Sequence, residues 1–407
     1  MSTPEPTLAA GDGSRLGGRG IVGLVAAATV VSHALARSTY PILLPAMEDD
    51  LLASHTQAGA LSTVNFVAYL AGVAAVTAIS GRVEPVRLLK SGLAVAALGF
   101  VVLATARGFT SLSLGQALAG GGSAGIWMSA PVIATGAVDA RHRGAVMGLL
   151  SSTMGIGIVA ASQGTAAMRR IEGSDALWRP TWAGAAIFTV GLLVVILLRL
   201  STPPTAEVSS GISLRLLRTV PHWLALSIGY WLSGLLTSSF SPFFGAALEE
   251  AGLSRGHVTG LYSLFGLAAA AAILFGRLSD RIGRRPVLLG ALVTMAVSCG
   301  LVLLGREPWA ALAAGLFGVA SFTYPVLIAA TVSDHLQGRA FANALGALTL
   351  VYGTALALGP VVAGRIGDSR YGLDLVFTAL AGCALLAAVF IRRLEPGRAA
   401  PPFGPAG

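Results

Sequence analysis

One guanidinium stands deep inside an apolar run. Arg37 lies sixteen residues after Ile21 and ten before Met47. A charge so placed is costly in hydrocarbon, roughly 2.5–3.5 kcal/mol on insertion scales, and marks function more often than structure. His33 and Tyr40, four residues before and three after, share its helix face. A planar guanidinium grips a carboxylate through two parallel hydrogen bonds, and His33 and Tyr40 would add further polar contacts. The alternative is an arginine that snorkels outward or is held by backbone carbonyls. Asn65 and Tyr69, one helical turn apart, are further candidates for contact with a solute, as are Trp127, Tyr230, Tyr262, Tyr324 and Tyr352. A tyrosine hydroxyl needs a partner away from water, which makes it more suggestive than a bare ring. No Asp or Glu falls in the middle of a long apolar run. His33 is therefore the obvious buried group that could take up and release a proton.

Other chemistry-bearing patterns lose their meaning in context. Gly121-Gly122-Ser123-Ala124-Gly125 fits the serine-nucleophile pattern, which requires a sharp strand-to-helix turn. It lies within an apolar helical run, so helix packing is the better reading. Gly155-Ile156-Gly157 imitates part of a dinucleotide fingerprint with no βαβ unit around it. No cluster has metal-ligand spacing, and no cofactor or catalytic residue is expected.

The elements that must carry these residues follow from composition. Of 407 residues 55% are apolar and 11% charged, against about 25% charged in a soluble domain. The apolar residues gather in runs of about 20, the length that crosses ~30 Å of hydrocarbon as a helix. Twelve spans are expected: 21–47, 54–79, 86–106, 110–136, 145–168, 180–200, 221–247, 255–276, 286–304, 309–332, 340–365 and 372–392. The richness in Gly and Ala suits close helix packing in lipid. Cys299 and Cys383 both fall inside spans and say nothing of redox compartment.

The net charge of +9 is topogenic and does not point to nucleic acid. With the N-terminus inside, 18 of the 27 Lys and Arg lie in cytoplasmic segments and eight outside, as the positive-inside rule requires. Both termini are then cytoplasmic. Arg15, Arg19, the run Ile21–Val31 and Ala34-Leu35-Ala36 imitate a cleaved secretory signal. The apolar stretch continues through Leu44, however, and cleavage would leave five helices facing six.

The chain also repeats itself. An offset of 195 residues pairs Gly81-Arg82 with Gly276-Arg277, Gly120 with Gly315, Asp139 with Asp334, Gly164 with Gly359, and Arg170-Ile171 with Arg365-Ile366. The expected organisation is a disordered tail (1–19), a six-helix half (20–200), a polar linker (201–219), a second six-helix half (220–393) and a second disordered tail (394–407). An even number of spans in each half makes the repeat parallel, with a solute site where two rocking halves meet.

Between spans 8 and 9 runs Gly276-Arg277-Leu278-Ser279-Asp280-Arg281-Ile282-Gly283-Arg284-Arg285-Pro286. This loop resembles the signature of the major facilitator superfamily: a Gly, an Asp four residues on, and a basic run after a second Gly. Its carboxylate suits a helix N-terminus and its cations suit helix C-termini, so Gly276, Arg277, Asp280, Arg281, Gly283, Arg284 and Arg285 are read as a gating loop. The first-half counterpart carries Glu84 in place of the Asp. Gln116 stands four residues before Gly120, where proton-coupled members often carry Arg, and span 5 lacks the Gly-Pro signature of drug antiporters. Within the superfamily, Arg37-Ser38-Thr39-Tyr40-Pro41 through Met47, and Asn65-Phe66-Val67-Ala68-Tyr69 through Gly72, are similar to the first two helices of the YbfB/YjiJ branch.

The resemblance implies an all-α membrane protein of twelve helices in two pseudo-symmetric halves, lined at its cavity by the first, second, fourth and fifth spans of each. It implies a monomeric secondary transporter in the cytoplasmic membrane, in contact with lipid and not with nucleic acid. The solute is expected to be a small organic anion; a neutral or amphipathic molecule, drug-like or sugar, is the alternative, and an intramembrane enzyme a remote one.

Overall fold

The computed structural model describes residues 17–80, 82–139, 142–172, 178–200, 213–269 and 271–394. Among these, every regular element is a helix. The first is continuous from Gly18 to Leu51 (α1) and includes a π-helical segment, Val31–Ser38. There follow α2 (His55–Ile79), α3 (Pro85–Ala104), α4 (Phe109–Gly136), α5 (Arg143–Glu172) and α6 (Trp178–Arg199). After a single helical turn, Leu214–Leu217, come α7 (Trp223–Glu250) and α8, a bent pair made of Arg255–Ala269 and Ala272–Ile282. The chain continues as α9 (Arg284–Val302), α10 (Trp309–Ser333), α11 (Gly338–Gly367) and α12 (Gly372–Ile391).

Each expected span falls on a helix. Ten helices are by themselves long and apolar enough to cross a membrane, and the bent α8 makes an eleventh. Helix α7 has the length, 28 residues, but its serines and threonine lower its apolar character. The ends are punctuated as backbone chemistry dictates. Pro85 opens α3, where a missing N–H costs nothing. Gly283 turns the chain between α8 and α9 with φ at 94°, a conformation open to glycine and strained for other residues.

One expected boundary needs correction. Gly18 and Arg19, assigned to the first tail, already belong to α1. Part of the 201–219 linker is ordered: the Ser213 side chain caps Leu214–Leu217, and its N–H donates to the Asn343 carbonyl. The rest of that linker (201–212) and the bulk of both tails (1–16 and 395–407) lie outside the described residues. The π segment had no counterpart in the sequence reading.

Contacts divide the chain into two compact units, the first formed by residues 1–39, 64–157 and 176–209, the second by 40–63, 158–175 and 210–407. Helices α1, α2 and α5 therefore each contribute to both. In the first unit, α3 and α4 lie backbone against backbone. A Cβ at Gly92 would come 2.7 Å from the Gly122 carbonyl oxygen, and one at Gly99 2.7 Å from the Ala119 nitrogen. Phe100 and Trp182 stack behind them. In the second unit, Phe240 of α7 stacks on Phe317 of α10 and meets Phe377 of α12 edge-on. Side chains such as Ile187, Leu197 and Leu198 on α6 stay exposed, as a lipid-facing stripe would.

Candidate functional site

The π segment of α1 builds the site in the first unit. A π turn holds one more residue than an α turn, so carbonyls meet donors five residues on. Pro41, just past the segment, has no N–H to give to the carbonyls of the turn before it. The Asn65 amide from α2 supplies one: Nδ2 donates to Ala36 O at 3.0 Å. The same nitrogen reaches the Gln116 carbonyl oxygen at 3.1 Å and its side-chain Oε1 at 2.9 Å on α4. Hydroxyls reinforce the widened turn, Ser38 Oγ donating to His33 O and Thr39 Oγ1 to Ala34 O. Ser32 and Ser123 exchange side-chain to backbone hydrogen bonds, tying the segment to α4.

This scaffold presents His33 and Arg37. The His33 ring is buried against Trp127, edge to face at 4.2 Å between centroids. Arg37 lays its guanidinium over the Tyr69 ring, 3.8 Å from its centroid, with Phe66 at 5.7 Å. Cation–π contact stabilises the charge while leaving its N–H groups undirected. Among the described residues, Nε and Nη2 of Arg37, both ring nitrogens of His33 and Nε2 of Gln116 are buried with no hydrogen-bond partner. Buried polar groups are nearly always paired; the Arg37 and Gln116 nitrogens are fixed donors and a neutral imidazole adds one donor and one acceptor, a set that suits an anion.

Of the residues singled out from sequence, His33, Arg37, Asn65, Tyr69 and Trp127 come together here. Asn65 is engaged with backbone and Gln116, so it positions the segment. Phe66 and Gln116 were missed as site residues; the α-helical spacing Phe66–Tyr69 was the available signal for the first.

Tyr40 is not part of this group. It belongs to the second unit, where its hydroxyl donates to the Ala58 carbonyl at 2.7 Å. Tyr262 is likewise engaged: its hydroxyl accepts from Gly245 N–H and donates to Ser241 O. It is thus inserted into the i→i−4 ladder of α7 beside Pro242, a common way to bend a helix. The remaining tyrosines assemble. The rings of Tyr230 and Tyr352 stack 4.1 Å apart and Tyr324 tilts against Tyr230 at 6.4 Å, with the Tyr324 hydroxyl buried and unpaired.

The 276–285 loop closes on its own half of the sequence. Arg284 donates to Asp280 at 2.5 Å, to Ser279 Oγ at 2.6 Å and to Asp334, at the end of α10, at 3.1 Å. At the opposite ends of these helices a cleft of about 400 Å³ is lined by Glu48, Asp49, His55, Glu249, Glu250, Arg255 and Asp368 among others. Arg255 bridges Asp49 (2.7 Å) and Glu249 (3.0 Å). Burial works to raise the Asp368 carboxyl, but hydrogen bonds from Thr56 and the His55 N–H prevail and hold it below the usual carboxylate range.

Among the described residues every regular element is a helix, with ten helices, or eleven with the bent pair, long and apolar enough to cross a membrane, the build of a multi-pass membrane protein. It belongs to the major facilitator family described as the uncharacterised MFS-type transporter YbfB, whose model matches residues 29–393. It is 32% identical over 179 residues to the multidrug resistance protein MdtG of Enterobacter lignolyticus (strain SCF1), covering 40% of this chain and 42% of the relative. A tetracycline resistance protein, class H, of Pasteurella multocida is 29% identical over 119 residues, 28% of this chain and 29% of that one. The chain thus matches under half the length of these curated relatives. Among solved structures it shares its fold with a bacterial homolog of the human lysosomal transporter Spinster, inward-facing and occupied (TM-score 0.76, 16% identity, 92% and 96% covered). The nucleoside transporter NupG is similar at TM-score 0.75 and 13% identity, with 92% and 100% covered.

Proposed function

We propose that this chain is a secondary transporter of the cytoplasmic membrane that carries a small organic anion by alternating access, with both termini inside. The observation that carries the reading is the Arg37 guanidinium, held over Tyr69 with buried, unpaired N–H groups beside His33. Trp127, Tyr69 and Phe66 supply ring faces for the apolar part of the solute, and the Tyr230, Tyr324 and Tyr352 cluster a second aromatic surface. A proton, where one is coupled, is carried by His33 or by the solute. The chain acts as a monomer in lipid.

Efflux of an amphipathic, drug-like molecule is the second reading, favoured by the names of the MdtG and tetracycline-resistance relatives. Binding of a panel of organic anions and neutral amphipaths to purified wild type and Arg37→Met separates the two. An anion that binds wild type and loses affinity in the variant supports the first. Equal anion affinity in both ends it, and neutral ligands binding both proteins alike would establish the second.

A further inference from the structure

Helix α7 begins where α12 ends. A Cβ at Gly229, in the second turn of α7, would lie 2.8 Å from Ile391 Cδ1 in the last turn of α12. The helical turn Leu214–Leu217 precedes α7 and is tied to α11 through the Ser213 N–H on the Asn343 carbonyl at 3.0 Å. Docked in this way it buries Leu217 and Val220 and leaves Arg215 and Arg218 exposed. Arg392 and Arg393, also exposed, follow directly on α12. Residues 213–223 and 386–394 thus bring four arginines to one end of a helix pair, and neither segment holds an Asp or Glu. The 276–285 loop differs, since Arg284 is paired there with both Asp280 and Asp334.

Two of the four arginines are set on aromatic faces. The Arg218 guanidinium lies 5.6 Å from the centre of the Trp223 ring, and that of Arg393 lies 5.5 Å from the Phe390 ring. Cation–π contact holds a guanidinium in place and leaves its N–H edge free to meet oxygen. Tryptophan is enriched at the level of lipid headgroups, and at these rings the surface turns from charged to apolar. Leu224, next to Trp223, is 55% exposed, and Val389, next to Phe390, is 52% exposed. A basic loop that only fixes topology needs neither the ring faces nor the bare aliphatic neighbours. Guanidinium groups, then rings, then aliphatic side chains match a phospholipid from its phosphate to its acyl chains. We propose that this end of α7 and α12, with its docked turn, is a binding surface for an anionic phospholipid, whose phosphate oxygens Arg215, Arg218, Arg392 and Arg393 engage. A soluble phosphate would meet the arginines alone and leave Leu224 and Val389 bare, so lipid is the better occupant. None of these residues belongs to the Arg37 site.

Titration of detergent-purified, full-length protein with phosphatidylglycerol, read by native mass spectrometry, tests the surface, with phosphatidylcholine as the neutral comparison. Wild type should bind phosphatidylglycerol in preference; equal binding of the two lipids overturns the proposal without any variant. Arg218→Gln combined with Arg393→Gln should weaken phosphatidylglycerol by roughly 25-fold, about fivefold for each basic side chain at an anionic surface, and leave phosphatidylcholine unchanged. Arg82→Gln combined with Arg87→Gln removes the same charge from the first-half loop and should alter neither affinity. An equal loss in that control would reduce the effect to net charge and overturn the assignment. Unchanged affinity in the Arg218 and Arg393 double variant would do so as well. Millimolar inorganic phosphate should fail to displace the lipid; displacement would give the arginines to a soluble anion instead. Because the readout is bound lipid and needs no solute, it stands whatever the Arg37 variants show.

Discussion

On the proposed reading, Arg37 and His33 would divide two tasks that differ in chemistry. An arginine over an aromatic face is fixed in position and always charged, so its part is binding; an imidazole can gain and lose a proton. Arg37→Lys keeps the charge but loses the planar fork and much of the ring contact. Anion affinity measured on purified protein should fall by ~1.5–3 kcal/mol, the worth of a charged hydrogen bond, or roughly ten- to hundredfold. Arg37→Met should be worse for an anion and neutral toward an uncharged ligand. If His33 carries the coupled proton, His33→Gln should still exchange solute in proteoliposomes yet lose accumulation driven by a pH gradient. Accumulation at the wild-type level in that variant would place the proton on the solute. Asn65 belongs to a different role, since its amide completes the widened turn at Ala36.

At the scale of elements, the π segment and the 276–285 loop show how a helix end or a widened turn becomes functional. The loop was read from its spacing as a latch. In the structure its carboxylate is neutralised locally, because Asp280 pairs with Arg284, which also holds Asp334. Arg284 keeps its Asp334 partner in Asp280→Ala, so that variant should fold and insert normally. Solute exchange in proteoliposomes should nonetheless slow, with binding affinity unchanged, since the freed charges no longer favour one arrangement of the helix ends. Exchange at the wild-type rate and wild-type expression would reduce the loop to a topology signal. In the first-half loop Arg87 pairs with Glu84, three residues earlier, at 3.1 Å.

For the whole molecule, orientation follows from the distribution of Lys and Arg. Single cysteines placed at 48–53 or 249–253 should react with an impermeant maleimide added to intact cells. Those placed at 83–85 or 279–284 should react only after lysis. Labelling of 279–284 in intact cells would invert the assigned topology. On the proposed orientation the charged corner around His55 and Asp368 would face outside and the Arg284 cluster the cytoplasm.

The sequence by itself determined the class of protein and the places of the spans. Each rests on a local or periodic signal: about twenty apolar residues in a row, a repeat at 195 residues and the spacing of the 276–286 loop. Burial in lipid acts on every span alike, so composition alone reports it. Only the tertiary structure decided which polar groups are engaged and which stay unpaired. Tyr40 and Tyr262 carry the same hydroxyl as Tyr324, yet the first two bond backbone groups of other helices while the third has no partner among the described residues. Nothing in the α1 sequence announces the π register, and the Asn65 amide that bonds the Ala36 carbonyl comes from another helix. Asp368 and His55 are 313 residues apart. Hydrogen bonds act over about 3 Å, so such pairings exist only once packing has brought the two backbones together.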